Sequence, residues 1–132
     1  MNIKFFKTYL RKELKGILPS HFPITDLSFA RDKEEYHKKV NGIDFDVVNN
    51  TLNLENSYFS INVSVTKNVS FIMTLFYDWE TKKPFEISLF TNGGSLYHYG
   101  YMYFYKGSFQ NLTINDFERY IQFLKVLLKI KE

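Results

Sequence analysis

The run FSINVSVTKNVSFIMTLFYDW, residues 59–79, decides how this chain is built. Phe59, Ile61, Val63 and Val65 alternate with Ser60, Asn62, Ser64 and Thr66, the period of a strand with one face on a core and the other in water. After a short turn at Lys67 and Asn68, the alternation resumes in Val69, Phe71, Met73, Leu75, Tyr77 and Trp79. Ile72 and Phe76 lie on the other side of this second strand, so we expect it to be central and covered on both faces. A link this short forces the two strands to be antiparallel, because parallel pairing needs a long crossover.

Working upstream, Asn41-Gly42 is the preferred pair for a two-residue hairpin turn whose central residues take positive φ. Pairing outward sets Val40 against Ile43, Lys39 against Asp44, Lys38 against Phe45, His37 against Asp46 and Tyr36 against Val47. The opposite charges of Lys39 and Asp44, and of His37 and Asp46, agree with this register. Leu27 and Phe29, alternating with Asp26 and Ser28, suggest a further short strand, and Asn49 to Asn56 reads as a polar turn region.

Downstream, Thr81 to Pro84 makes a turn, and Phe85, Ile87 and Leu89 read as one face of the next strand. Asn92-Gly93-Gly94-Ser95 then leads into Leu96–Lys106, where Tyr97, Tyr99, Tyr101, Tyr103 and Tyr105 occupy every second position. In an unbroken strand these five rings line one side, opposite Leu96, His98, Gly100, Met102 and Phe104. Gly100 is a candidate bulge that would switch the side of the later tyrosines.

A helix is expected at each end. Ile3, Phe6, Leu10, Leu14 and Ile17 recur at spacings of three and four, predicting an amphipathic helix over residues 2–16, ended by Gly16 and Pro19. Lys4, Lys7, Arg11 and Lys15 gather on a separate face and read as solvated. Thr113 with Asp116 resembles a capping box, flanked by Leu112 and Phe117 as a hydrophobic staple. The helix that follows has a core stripe of Phe117, Tyr120, Ile121, Leu124, Leu127 and Leu128, and Phe123, Val126 and Ile130 widen its apolar surface beyond one stripe. The expected fold is α+β: an antiparallel meander of about seven strands flanked by an N-terminal and a C-terminal helix, in one domain over residues 1–132.

The chain has 132 residues and no cysteine, which removes disulfides, thiol catalysis and Cys-based zinc sites. Its 45% hydrophobic and 23% charged residues are a globular composition, and its net charge of +3 is a mild excess with the signs interspersed. Neither a secretory leader nor a membrane span is legible, so a cytoplasmic location is the expectation. His21, His37 and His98 have no metal-ligand spacing, and Asn92-Gly93-Gly94-Ser95 lacks the lysine and helix of a phosphate loop. No Gly-x-Ser-x-Gly elbow is present, and the pairs Asp44/Asp46 and Asp78/Glu80 read as solvated strand edges. No cofactor or metal is implied.

The sequence therefore suggests a non-catalytic protein-binding domain. Its candidate partner-binding residues are Tyr97, Tyr99, Tyr101, Tyr103, Tyr105, Phe123, Val126 and Ile130. Tyrosine rows are rigid contacts with hydrogen-bonding tips. By size and lack of motifs, the role that fits is a small bacterial immunity protein masking a cognate toxin, although inhibitors of basic nucleases tend to be acidic and this chain is basic. The alternative is a nucleic-acid or small-ligand binder with an aromatic sheet floor, for which cations are scarce, Lys106 alone lying in the tyrosine strand. A ribonuclease using His98 is the remaining enzymatic reading. The position of the last helix divides these readings: packed on Met102 and Phe104 it leaves the tyrosines to a partner, and packed on the tyrosines it makes them core.

Overall fold

The structure, a computed structural model, describes residues 1–13, 15, 32–40, 42–52, 54–66, 69–92 and 101–128. Helix α1 (Ile3–Glu13) is followed by six strands, β1 (Glu34–Val40), β2 (Ile43–Asn50), β3 (Tyr58–Thr66), β4 (Val69–Tyr77), β5 (Pro84–Asn92) and β6 (Tyr101–Ser108). A single 3-10 turn, Phe109–Asn111, leads into helix α2 (Ile114–Leu128). The strands form one antiparallel sheet in the order β1-β2-β3-β4-β5-β6, the expected meander flanked by two helices. It has six strands among the described residues; the seventh expected, at Leu27 and Phe29, lies outside them.

Register follows the hydrophobic pattern. One row of paired residues crosses all six strands: Tyr36, Val47, Ile61, Met73, Leu89 and Tyr105. The flanking rows contain Phe45, Val63 and Phe71 on one side, and Phe59, Leu75 and Ile87 on the other, all buried. The Asn41-Gly42 hairpin pairs as the sequence predicts, with Gly42 at φ 80, where a Cβ would be strained. The opposite face carries one row of Asp46, Asn62, Ile72 and Phe90 and another of Val48, Ser60, Thr74 and Ser88, and no described helix covers it. The expectation that β4 is covered twice is corrected accordingly: Phe71, Met73 and Leu75 are buried, whereas Ile72, Thr74 and Phe76 keep partial contact with solvent.

The two helices cover the buried face and lock to each other. Asn2 caps α1, its Oδ1 accepting from the Lys4 amide at 2.8 Å, and Phe6 and Leu10 point into the core. Phe6 meets Phe109 edge-on at 5.4 Å and Phe117 of α2 at 5.0 Å, and Lys125 of α2 donates to Glu13 of α1 at 2.7 Å. The α-amino group of Met1 donates to the carbonyl oxygens of Phe109 and Gln110, which fixes the start of α1 against the 3-10 turn. At the start of α2 the expected cap forms: the Asp116 amide donates to Thr113 Oγ1 at 3.2 Å, and the Thr113 hydroxyl donates to the Asp116 carboxylate at 2.7 Å. Leu112 and Phe117, the two halves of the staple, are both buried.

Adjacent phenylalanines give the clearest test of this packing. Phe6 has no exposed surface, whereas Phe5 is 51% exposed and leans on Tyr9. Phe6→Ala should lower unfolding stability by about 3–5 kcal/mol in urea titrations, against about 0.5 kcal/mol for Phe5→Ala. Equal losses would mean that α1 buries a different face.

Candidate functional site

The tyrosine strand forms one edge of the sheet, and it is not regular. Leu89 pairs with Tyr105 and Phe90 with Tyr103, so Phe104 is an extra residue on β6, a β-bulge. The bulge falls between Tyr103 and Tyr105; Gly100, where the sequence suggested one, lies outside the described residues. The partners Leu89 and Phe90 face opposite sides of the sheet, so the even spacing of the tyrosines does not translate into one continuous row.

Phe104 faces α2. Its ring meets Tyr120 edge-on at 5.5 Å and Phe123 at 5.2 Å, and Phe123 also packs on Phe71 at 5.5 Å. Phe123 is therefore half-buried, bridging core and surface. Tyr105 is half-buried on the same side, and its hydroxyl donates to the Ser108 carbonyl at 2.8 Å. Gly107 permits that hydrogen bond, since a Cβ there would approach the Tyr105 hydroxyl to 3.2 Å. Burial, then the Asp116 carboxylate, raises the Tyr105 hydroxyl above the usual phenol range. Tyr101, Tyr103 and Val126 lie in β6 and α2, with only their backbones described, and Tyr97, Tyr99 and Ile130 lie outside the described residues.

On the face opposite the two described helices, the β1–β2 hairpin sets out alternating charges. His37 Nδ1 donates to Asp46 Oδ1 at 2.5 Å, Glu35 lies 3.8 Å from His37 Nε2, and Lys39 lies 3.6 Å from Asp44. Asn62, paired with Asp46, has a shielded side-chain oxygen with no hydrogen-bond partner among the described residues. His37 has its side chain 61% exposed, so this pair can exchange a proton with water. His21 and His98 lie outside the described residues, and no His, Asp or Glu cluster among the described residues could hold a metal ion. No described helix is long and apolar enough to cross a membrane.

A second surface was not legible in the sequence. At the end of the sheet where β2 leads to β3 and β4 turns into β5, a groove of about 400 Å³ is lined by Leu54, Glu55, Phe76, Trp79, Glu80 and Phe85, among others. Another bulge creates it. Phe76 pairs with Glu86 and Tyr77 with Pro84, which leaves Phe85 as the extra residue. Phe85 is consequently 51% exposed, with its ring 6.5 Å from Phe76, and is not on the buried face with Ile87 and Leu89. The signals available beforehand were two leucines, Leu52 and Leu54, in a polar turn, and the sole tryptophan between Asp78 and Glu80.

Comparison of the chain with protein-family models, curated proteins and solved structures finds no match. The surfaces must therefore be read from their own chemistry.

The hairpin pair yields a pH prediction. The hydrogen bond to Asp46 is the main cause raising the His37 pKa above 6.5; burial opposes it, and the Asp46 and Glu35 charges add smaller raising contributions. Because the folded value lies above the unfolded one, protonated His37 stabilises the fold fully below about pH 6.5, and that contribution disappears as pH rises through the folded pKa. An NMR titration should place the His37 midpoint above 6.5, with Asp46→Asn moving it down. A midpoint unmoved by Asp46→Asn would contradict the pairing.

Proposed function

We propose that the chain is a non-catalytic, cytoplasmic protein-binding domain, and that its role is that of a small bacterial immunity protein masking a cognate toxin. The observation that carries this reading is the meeting of the tyrosine strand and the last helix along one edge of the sheet, joined by the contact of Phe104 with Phe123. The two sheet edges differ in kind. Strand β1 carries Glu34, Glu35, Lys38 and Lys39, charges that discourage strand addition, whereas Tyr101–Tyr105 of β6 carries none. Among the described residues, no strand pairs with the outer edge of β6. An uncharged aromatic edge beside a half-buried phenylalanine suits an extended or flat protein surface, with backbone hydrogen bonds supplying affinity and rings supplying contact area.

Charge favours a protein over a nucleic acid. The sheet face opposite the described helices bears Glu35, Asp44, Asp46 and Glu86, and an aromatic floor for bases would need positive charge along it.

Affinity capture from the native cell should return one stoichiometric partner. Tyr101→Ala with Tyr103→Ala should abolish capture while leaving the far-UV circular dichroism unchanged. Capture undiminished in that variant would reject the tyrosine edge, and salt-sensitive retention of single-stranded RNA in place of a protein would reject the reading as a whole.

A further inference from the structure

The geometry points to a second contact, independent of the tyrosine edge: the groove between the β2–β3 connection and the β4–β5 turn receives an arginine side chain presented by a partner protein. This inference rests on the protein-binding reading and adds the chemistry of the partner to it.

The groove combines two features that a guanidinium uses together. Phe76, Trp79 and Phe85 supply aromatic rings, and Glu55, Asp78 and Glu80 supply carboxylates, with no lysine or arginine among the lining residues. A planar guanidinium stacks on aromatic faces while its N–H groups fork onto carboxylates, which an ammonium does less well. Lys82 and Lys83 belong to the same turn but do not line the groove. Local charge is therefore opposite to the +3 of the chain as a whole, so a basic partner can be met at an acidic site on a basic protein.

The backbone holds the groove open. Asp78 Oδ1 accepts from the amides of Glu80 at 2.8 Å and Thr81 at 3.0 Å, and the Asp78 amide donates to the Lys83 carbonyl at 2.9 Å. The Asp78 carboxylate thus shapes the turn and leaves Glu80 exposed at the rim. The Tyr77 amide donates to the Ser57 carbonyl at 2.9 Å, tying the β2–β3 connection to the end of β4. Leu54, 66% exposed, and Phe85, brought out by its bulge, form an apolar rim that would otherwise face water without benefit.

Trp79 is the only tryptophan of the chain, so its emission reports on the groove directly. Acetylated, amidated tetrapeptides of arginine, lysine and glutamate are the probes, titrated into the intact protein at low salt. The arginine peptide should shift Trp79 emission saturably and bind at least about threefold more tightly than the lysine peptide, and the glutamate peptide should leave it unchanged. Glu55→Gln with Glu80→Gln should weaken the arginine peptide by about tenfold, and Phe85→Ala should weaken it separately. These side chains are exposed, and unchanged circular dichroism would show that each variant still folds. No saturable shift up to millimolar arginine peptide, equal affinity for lysine, or an undiminished response in the carboxylate variant would each overturn the assignment. A failed titration with native capture intact refutes the groove alone, whereas loss of any stoichiometric partner with the titration intact refutes the protein-binding reading and leaves a guanidinium site.

Discussion

The row Tyr36, Val47, Ile61, Met73, Leu89 and Tyr105 is the constraint on which the remaining packing depends. A one-residue slip in any strand would send its buried set to the opposite face, so burial of this row and its neighbours fixes the register of the whole meander. The helices follow from it. Phe6 and Leu10 of α1 and Phe117, Tyr120, Ile121 and Leu124 of α2 fill the same side, and the Phe6–Phe117 contact and the Lys125–Glu13 ion pair join the two into one cover.

Departures from that register are where surfaces arise. One extra residue on β5 brings Phe85 out beside Phe76, and one on β6 sets Tyr105 on the core side together with Phe104, which packs against Tyr120 and Phe123. The same local device has opposite consequences: the first bulge opens an aromatic, acid-rimmed groove, and the second joins the tyrosine edge to the last helix. Bulges re-aim side chains without disturbing the strands around them, which lets a sheet with a fixed core carry differently shaped edges.

Those bulges also explain how far the sequence could be read. The Asn41-Gly42 hairpin was legible pair by pair, because turn chemistry, hydrophobic alternation and charge complementarity all agreed on one register. The Thr113/Asp116 cap and the Leu112/Phe117 staple were legible for the same reason. Phe85 and Tyr105 were not, since strict alternation places Phe85 with Ile87 and Leu89 and sets Tyr105 opposite Phe104, and a bulge at an aromatic residue leaves no glycine to mark it. The groove was missed because its residues come from two connections distant in sequence, and Glu55, Asp78 and Glu80 look like ordinary turn polarity until Trp79, Phe85 and Leu54 are set beside them.

The claim on which the functional account rests is that β6 is an open edge. Hydrogen–deuterium exchange of the isolated protein, resolved by amide, tests it directly. Amides of β4, paired on both sides, should be the slowest, and alternate amides in residues 101–108, whose outer edge has no strand partner among the described residues, should exchange far faster than their neighbours. Uniformly slow exchange along β6, matching β4, would show that the edge is already paired and would contradict the account.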